Sequence, residues 1–407
     1  MDSTQQHLVF INQHYWPDNA ATALALTDLA ESFAQKGHRV SVICSRYLYD
    51  FSGSVLSEFE IKNKVEIYRV NQTNFGRHSH EGRLKDYASF FVLALFKSFQ
   101  LKPDCLITLT TPPLLGTIGF IHKLIRNTRF VYWCMDLHPE AEVAANLFSV
   151  KSAIYTIIFK LHEKILFSAD RIIPLSDNMS LLLGKYHVEE KKLKKISIWS
   201  DSNEIKAQSN SLMRNSLPEW LKNRFIVHYS GNLGLAHNPD CLLKVIIHAR
   251  QDAEIGFLFT GGGPQMPVLR QRVSELGLTN VHFKPYVDRD ELSDSMACGD
   301  VNWLTLSSSF EGIAYPSKLI GYMASAKPVI FIGDKNADSA KLIKQANCGF
   351  SFTENDTESV YRTISRLKNQ TEQNRMLGLN ARSYFEQYLS KNQLTKEWHS
   401  VVEDVLK

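Results

Sequence analysis

The chain has 407 residues, 44% hydrophobic and 22% charged, which excludes disorder, collagen-like repeats and coiled coil and implies two or three domains. Forty-six Lys and Arg against 42 Asp and Glu leave a net charge of +4, too small for a concentrated basic face, so nucleic acid is not an expected partner. The six cysteines lie at least 29 positions apart, which argues against a zinc site or disulfide framework and for buried thiols in a reducing, cytoplasmic compartment.

The opening Met1-Asp2-Ser3-Thr4-Gln5-Gln6 is polar and has no basic residue, so no signal peptide is expected. Short apolar runs then alternate with longer amphipathic segments. The first series of runs covers 7–12, 39–44, 65–70, 104–110, 129–135, 170–176 and 195–199. A second covers 225–230, 255–260, 280–284, 301–305, 328–332 and 349–352. Several runs lack alternation, as strands covered on both faces do. Segments between them read as helices; 22–36 is one, stopped by Gly37. The expected fold class is α/β, with parallel, doubly wound sheets. The apolar stretch 87–96 is cut off by Lys97, short of the roughly 20 residues that span a bilayer. Residues 201–222 are polar and rich in turn formers. The organisation is therefore a Rossmann-like domain at 1–205, a linker at 206–222, a second such domain at 223–385, and a C-terminal helix at 386–407 that packs back on the first domain. Such folds bind ligands beyond the carboxyl ends of their strands, here in a central cleft that the two domains face.

The loop after the first strand, Asn12-Gln13-His14-Tyr15-Trp16-Pro17-Asp18, contains no glycine, so a dinucleotide is not expected there. Its polar and aromatic residues suit a sugar or lipid-linked substrate, or simply loop packing. In the second half, Gly231-Asn232-Leu233-Gly234 precedes a helix near Pro239, and Gly261-Gly262-Gly263-Pro264 follows the next strand. Either loop alone could be a tight turn; together they favour a nucleotide diphosphate held by backbone amides. Pro316-Ser317-Lys318 opens a helix expected at 319–325. A lysine there opposes the helix dipole, a cost that an anionic ligand would offset.

These motifs, with Lys36-Gly37-His38-Arg39-Val40, Met135-Asp136-Leu137-His138-Pro139-Glu140 and Lys327-Pro328-Val329-Ile330, resemble the family 4 glycosyltransferases of the GT-B fold. The branch is the one that builds bacterial O-antigens, capsules and colanic-acid-type exopolysaccharides. The resemblance implies a retaining hexosyl- or N-acetylhexosaminyltransferase with a nucleotide-sugar donor, UDP-linked, and a glycan or polyprenyl-linked acceptor. It implies that Gly231, Asn232, Gly234 and Lys318 meet the donor phosphates, with Ser317 and His237 beside them. Gly261, Gly262, Gly263, Tyr286 and Val287 would hold the nucleoside, and Glu311 the donor sugar. Glu311 and Lys318 would carry catalysis, while His14, Tyr15, Asp136, His138 and Glu140 would form the acceptor side. No cofactor or metal is implied. The family's second glutamate aligns with Leu319 or Gly321, so its ribose contact is missing or supplied elsewhere, and His237 is the nearest cation where a loop arginine is common.

Other signals have plainer readings. Asp288-Arg289-Asp290 resembles a metal-binding pair but suits a helix cap. His78-Ser79-His80-Glu81 reads as a solvated loop, and the charged run 189–195 as a solvated turn. The stripe at 87–99 is core helix, one face of which could rest on the inner face of the cytoplasmic membrane. An epimerase of the same fold and a non-catalytic nucleotide-binding scaffold are the competing functions.

Overall fold

The computed structural model describes residues 5–18, 20–48, 55–76, 79–207 and 212–407; His78 of the histidine-rich loop lies outside them. The chain divides into two units, one of Met1–Ser197 with Leu394–Lys407 and one of Ile198–Gln393.

The first unit is built on β1 His7–Ile11, β2 Arg39–Ser45, β3 Phe59–Lys62, β4 Val65–Val70, β5 Cys105–Thr108, β6 Arg129–Cys134 and β7 Arg171–Pro174. They pair in the order β3-β4-β2-β1-β5-β6-β7, all parallel except β3. Every residue of β1 and β5 is buried, which explains why those runs show no alternation. Strand β3 escaped the sequence reading because Phe-Glu-Ile-Lys alternates and is only half-buried. It joins β4 through Asn63 and Lys64, both at positive φ, as a two-residue hairpin turn requires. The expected strand at 195–199 does not form. Amides of Lys194 and Ile196 bond to Ile172 and Pro174 of β7, but no ladder develops.

The second unit contains β8 Phe225–Asn232, β9 Ile255–Gly262, β10 Val281–Lys284, β11 Val301–Thr305, β12 Val329–Ile332 and β13 Gly349–Phe352. Their order, β10-β9-β8-β11-β12-β13, is parallel throughout. Its core holds Tyr229, Phe257, Phe259 and Trp303. Strand order reverses between β1 and β5 in one sheet and between β8 and β11 in the other. Those are the points where doubly wound sheets open a crevice for ligands.

Two boundaries differ from expectation. The described part of the linker belongs to the second unit: Leu217 and Leu221 are buried, and Arg214 pairs with Asp300 at 3.0 Å. Toward the C-terminus, the helix Lys391–Leu406 returns to the first unit from Leu394 onward. There Trp398 packs on Trp133 at 4.6 Å and His399 on Phe33 at 4.2 Å. All six cysteines are buried and free. Among the described residues, no helix is long and apolar enough to cross a membrane.

Candidate active site

The two glycine loops of the second unit meet at one sheet edge, because β8 and β9 pair Gly231 with Gly261 and Asn232 with Gly262. Gly231 has φ +120° and Gly261 φ +129°, conformations that side chains resist. A Cβ on Gly261 would sit 2.3 Å from the Gly231 carbonyl oxygen, so only glycine permits this approach. Gly234 has more room: a Cβ there would find its nearest neighbour, the Asn232 side-chain amide, 3.5 Å away. Tyr286 follows β10, is exposed, and lays its ring against Gly262; Val287 beside it is half-buried. The proposed nucleoside contacts thus share one edge.

Lys318 begins the helix Lys318–Ala324, and its stem crosses Gly231: a Cβ there would meet Lys318 Cε at 3.0 Å. Its ammonium lies 3.0 Å from His237 Nε2 and 5.6 Å from the Tyr229 ring centre. His237 is buried, and its Nδ1 donates to the Thr305 carbonyl. With Nδ1 protonated, Nε2 accepts from Lys318. Burial, then the charge of Lys318, pushes the His237 pKa down to about 3. The expectation of a cationic His237 is therefore corrected: it is a neutral imidazole that holds Lys318. Burial also lowers the Lys318 pKa, to about 8. The ammonium is the form that can offset phosphate charge. Activity measured as kcat/KM is accordingly expected to fall as pH rises through about 8. Lys318→Arg should remove that limb from the pH–rate profile, because a guanidinium keeps its proton there.

Glu311 follows β11, and its Oε1 accepts the Asp338 N–H at 3.2 Å where the helix Asp338–Ala346 begins. An anion at a helix N-terminus is locally favourable, so this carboxylate has a structural bond as well as its expected role. Ser317 is half-buried and makes no side-chain cap bond. Leu319 is wholly buried, and a Cβ on Gly321 would lie 2.9 Å from Met296 Cε. Neither position presents a second carboxylate. Tyr322, unremarked in the sequence, instead ties this helix to β8. Its hydroxyl accepts the Ser230 N–H at 2.9 Å and donates to the Ser230 carbonyl at 3.2 Å.

In the first unit, the loop after β1 is more enclosed than its composition suggested. His14 is buried and pairs through Nδ1 with Asp18 at 3.1 Å. It lines a small cavity together with Gln13, Gln72, Asn74, Arg83 and Tyr87. Tyr15 is 3% exposed and its phenol bonds Thr27, so it is a core residue and not an acceptor contact. After β6, Asp136, His138 and Glu140 are all half-buried at the same edge. Among the described residues, no cluster of His, Cys, Asp or Glu is arranged to hold a metal. Asp288 occupies an N-cap position before Arg289–Glu291, but it caps through its carbonyl, not its side chain.

Residues 215–384 match the family model described as Glycosyl transferases group 1. This stretch contains both glycine loops, Glu311 and Lys318; the second unit carries a glycosyltransferase domain on a GT-B fold, and the chain is an enzyme of the glycosyltransferase class. Among individual proteins, it is 22% identical to the probable glycosyltransferase WbjE of Pseudomonas aeruginosa over 303 residues, 74% of this chain and 75% of that one. In structure it is similar to sucrose-phosphate synthase from Thermosynechococcus elongatus, at TM-score 0.78 and 16% identity, covering 98% and 99% of the two chains. It is also similar to Anabaena HepE solved with UDP and glucose, at TM-score 0.75 and 17% identity, covering 98% and 100%.

Proposed function

We propose that this enzyme is a family 4 glycosyltransferase that moves a sugar, with retention, from a UDP-linked donor to a glycan or polyprenyl-linked acceptor in bacterial surface-polysaccharide biosynthesis. The observation that carries this reading is Lys318, held over Gly231 beside two glycine turns in register. Glycine backbone amides and one ammonium at a sheet edge suit a diphosphate whose charge grows as the sugar leaves. The UDP and glucose bound by HepE, on the same fold, support the donor class.

Departure of the sugar breaks the bond between its anomeric carbon and the diphosphate oxygen. Lys318 offsets the charge left on the diphosphate, and Glu311 orients the sugar through its hydroxyls. No divalent metal takes part, so EDTA is expected to leave turnover unchanged; a strict need for manganese or magnesium would contradict this. The enzyme works in the cytoplasm, at the inner face of the membrane. Leu84, Val92 and Phe96, exposed along the helix His80–Leu101, support that contact.

The test is mass spectrometry of mixtures of UDP-sugars with glycan and polyprenyl-diphosphate-linked acceptors, followed by NMR of the product's anomeric configuration. Transfer with retained configuration is the expected result. Conversion of the donor alone would identify an epimerase instead.

A further inference from the structure

Between the loops that follow β1, β2 and β4 lies a cavity of about 20 Å³, closed on one side by the first turns of the helix His80–Leu101. All of its lining belongs to the first unit. It lies at the carboxyl ends of these strands, beside the reversal between β1 and β5, where such sheets take ligands. Gln13 and Gln72 form its buried wall, at 5% and 6% exposure, and Asn74 its exposed rim. Gln13 Nε2 donates to Gln72 Oε1 at 3.1 Å. That bond leaves Gln13 Oε1 and the Gln72 amino group without a protein partner among the described residues. Buried amides are costly when half-satisfied, so an occupant is expected to complete the pair.

Size narrows the occupant. A water needs roughly 10–15 Å³ of such space, so the cavity holds one water-sized group and not a phosphate or a sugar ring. Charge narrows it further. Asp86 is buried, and its two oxygens already accept the Thr73 hydroxyl and the Phe75 and Gly76 amides. His14 is paired with Asp18. The Arg83 guanidinium lies 5.9 Å from the Tyr87 ring centre, on the side that faces Glu142. Burial works to raise the pKa of Glu142, yet its 2.8 Å bond to His138 and the charges of His138 and Arg83 hold it low. Each fixed charge around the cavity is thus answered by a neighbour, and no ion is called for. What remains is one acceptor beside one donor. An ammonium could use only Gln13 Oε1 and a carboxylate only the Gln72 amino group. A hydroxyl, which donates and accepts, satisfies both.

We propose that this cavity is a specificity subsite that takes one hydroxyl, not the reacting one, of the acceptor's terminal sugar. That hydroxyl donates to Gln13 Oε1 and accepts from Gln72 Nε2. The proposal rests on the transferase reading and deepens it, because it names the acceptor unit as a neutral sugar with a free hydroxyl at that position. Discrimination then works in both directions. A deoxy sugar leaves the two buried amides unsatisfied, which is how a polar slot rejects a ligand that lacks its hydroxyl. An O-methyl sugar brings a methyl group that about 20 Å³ does not admit beside the oxygen.

The full-length protein is assayed with the donor and acceptor pair found by mass spectrometry, then with acceptors deoxygenated or O-methylated at one position of the terminal sugar at a time. At one position other than the reacting hydroxyl, both changes should lower kcat/KM by about 10²-fold or more. Gln72→Met and Gln13→Met should bring the parent and deoxy acceptors within a few-fold of each other, while UDP affinity by calorimetry stays unchanged. The proposal is overturned if no position is sensitive to both changes, or if the preference for the hydroxyl survives in folded Gln72→Met. Equal loss with every acceptor, together with a lower Tm, also overturns it and leaves the amide pair a structural role around a water. Should neither variant fold, wild type labelled with ¹⁵N-glutamine is titrated by NMR with methyl glycosides. The Gln13 and Gln72 side-chain amide signals should shift, and their standing still overturns the proposal. Failure of the wild type to bind UDP or transfer any sugar would instead sink the transferase reading; the glycoside titration would still report whether the cavity takes a sugar hydroxyl.

Discussion

Lys318→Ala is expected to lower kcat by about 10²–10³ while the protein stays folded, the usual cost of losing one preorganised charge-stabilising donor. The ammonium is already placed before any ligand arrives, against His237 Nε2 and over Gly231, so little reorganisation is needed as phosphate charge develops. Its first-turn position gains nothing from the helix dipole, and burial lowers its pKa. Both facts make the free enzyme a poor host for this cation and a bound diphosphate its natural partner. Steady-state kinetics with a thermal melt settle the matter. Near-wild-type kcat in a folded variant would remove Lys318 from the mechanism.

Much of this arrangement was legible in the sequence, for definite reasons. Buried parallel strands leave unbroken apolar runs, and so β1, β5, β8 and β9 announced both sheets. The glycine loops were visible because a close backbone approach leaves no alternative residue. What stayed hidden depends on contacts between distant segments. His237 looked like a stand-in for a loop arginine, since nothing local reveals that Thr305 and Lys318 hold it neutral. Tyr15 read as an acceptor-side residue, with loop packing the alternative, and its ring turns inward to Thr27. Glu311 carried no sign of the helix start that it braces at Asp338. The pairing of His138 with Glu142 could have been found, because a His and a Glu four apart at a helix start can meet on one face.

Gly261→Ala is expected to be the most damaging small substitution in the donor edge, for reasons separate from Lys318. At φ +129° an alanine is strained, a penalty on the order of 1–3 kcal/mol by itself. Its methyl would also lie 2.3 Å from the Gly231 oxygen and 2.9 Å from the Gly231 carbon, so the backbone of β8 must move. Backbone yields less readily than the end of a side chain. The displaced segment is the one on which the Lys318 stem rests, and Tyr322 pins the neighbouring Ser230 to the helix behind it. Strain should therefore spread into the phosphate edge and not relax into solvent. The expected results are loss of measurable UDP binding by calorimetry and a fall in Tm. Each kcal/mol lost should lower Tm by roughly 2–4 °C for a unit of this size. Gly234→Ala is the internal control, because a Cβ there meets only the Asn232 amide at 3.5 Å and φ is not positive. It should melt close to wild type and keep UDP affinity. Equal behaviour of the two variants would mean that the Gly231–Gly261 approach does not set the donor edge.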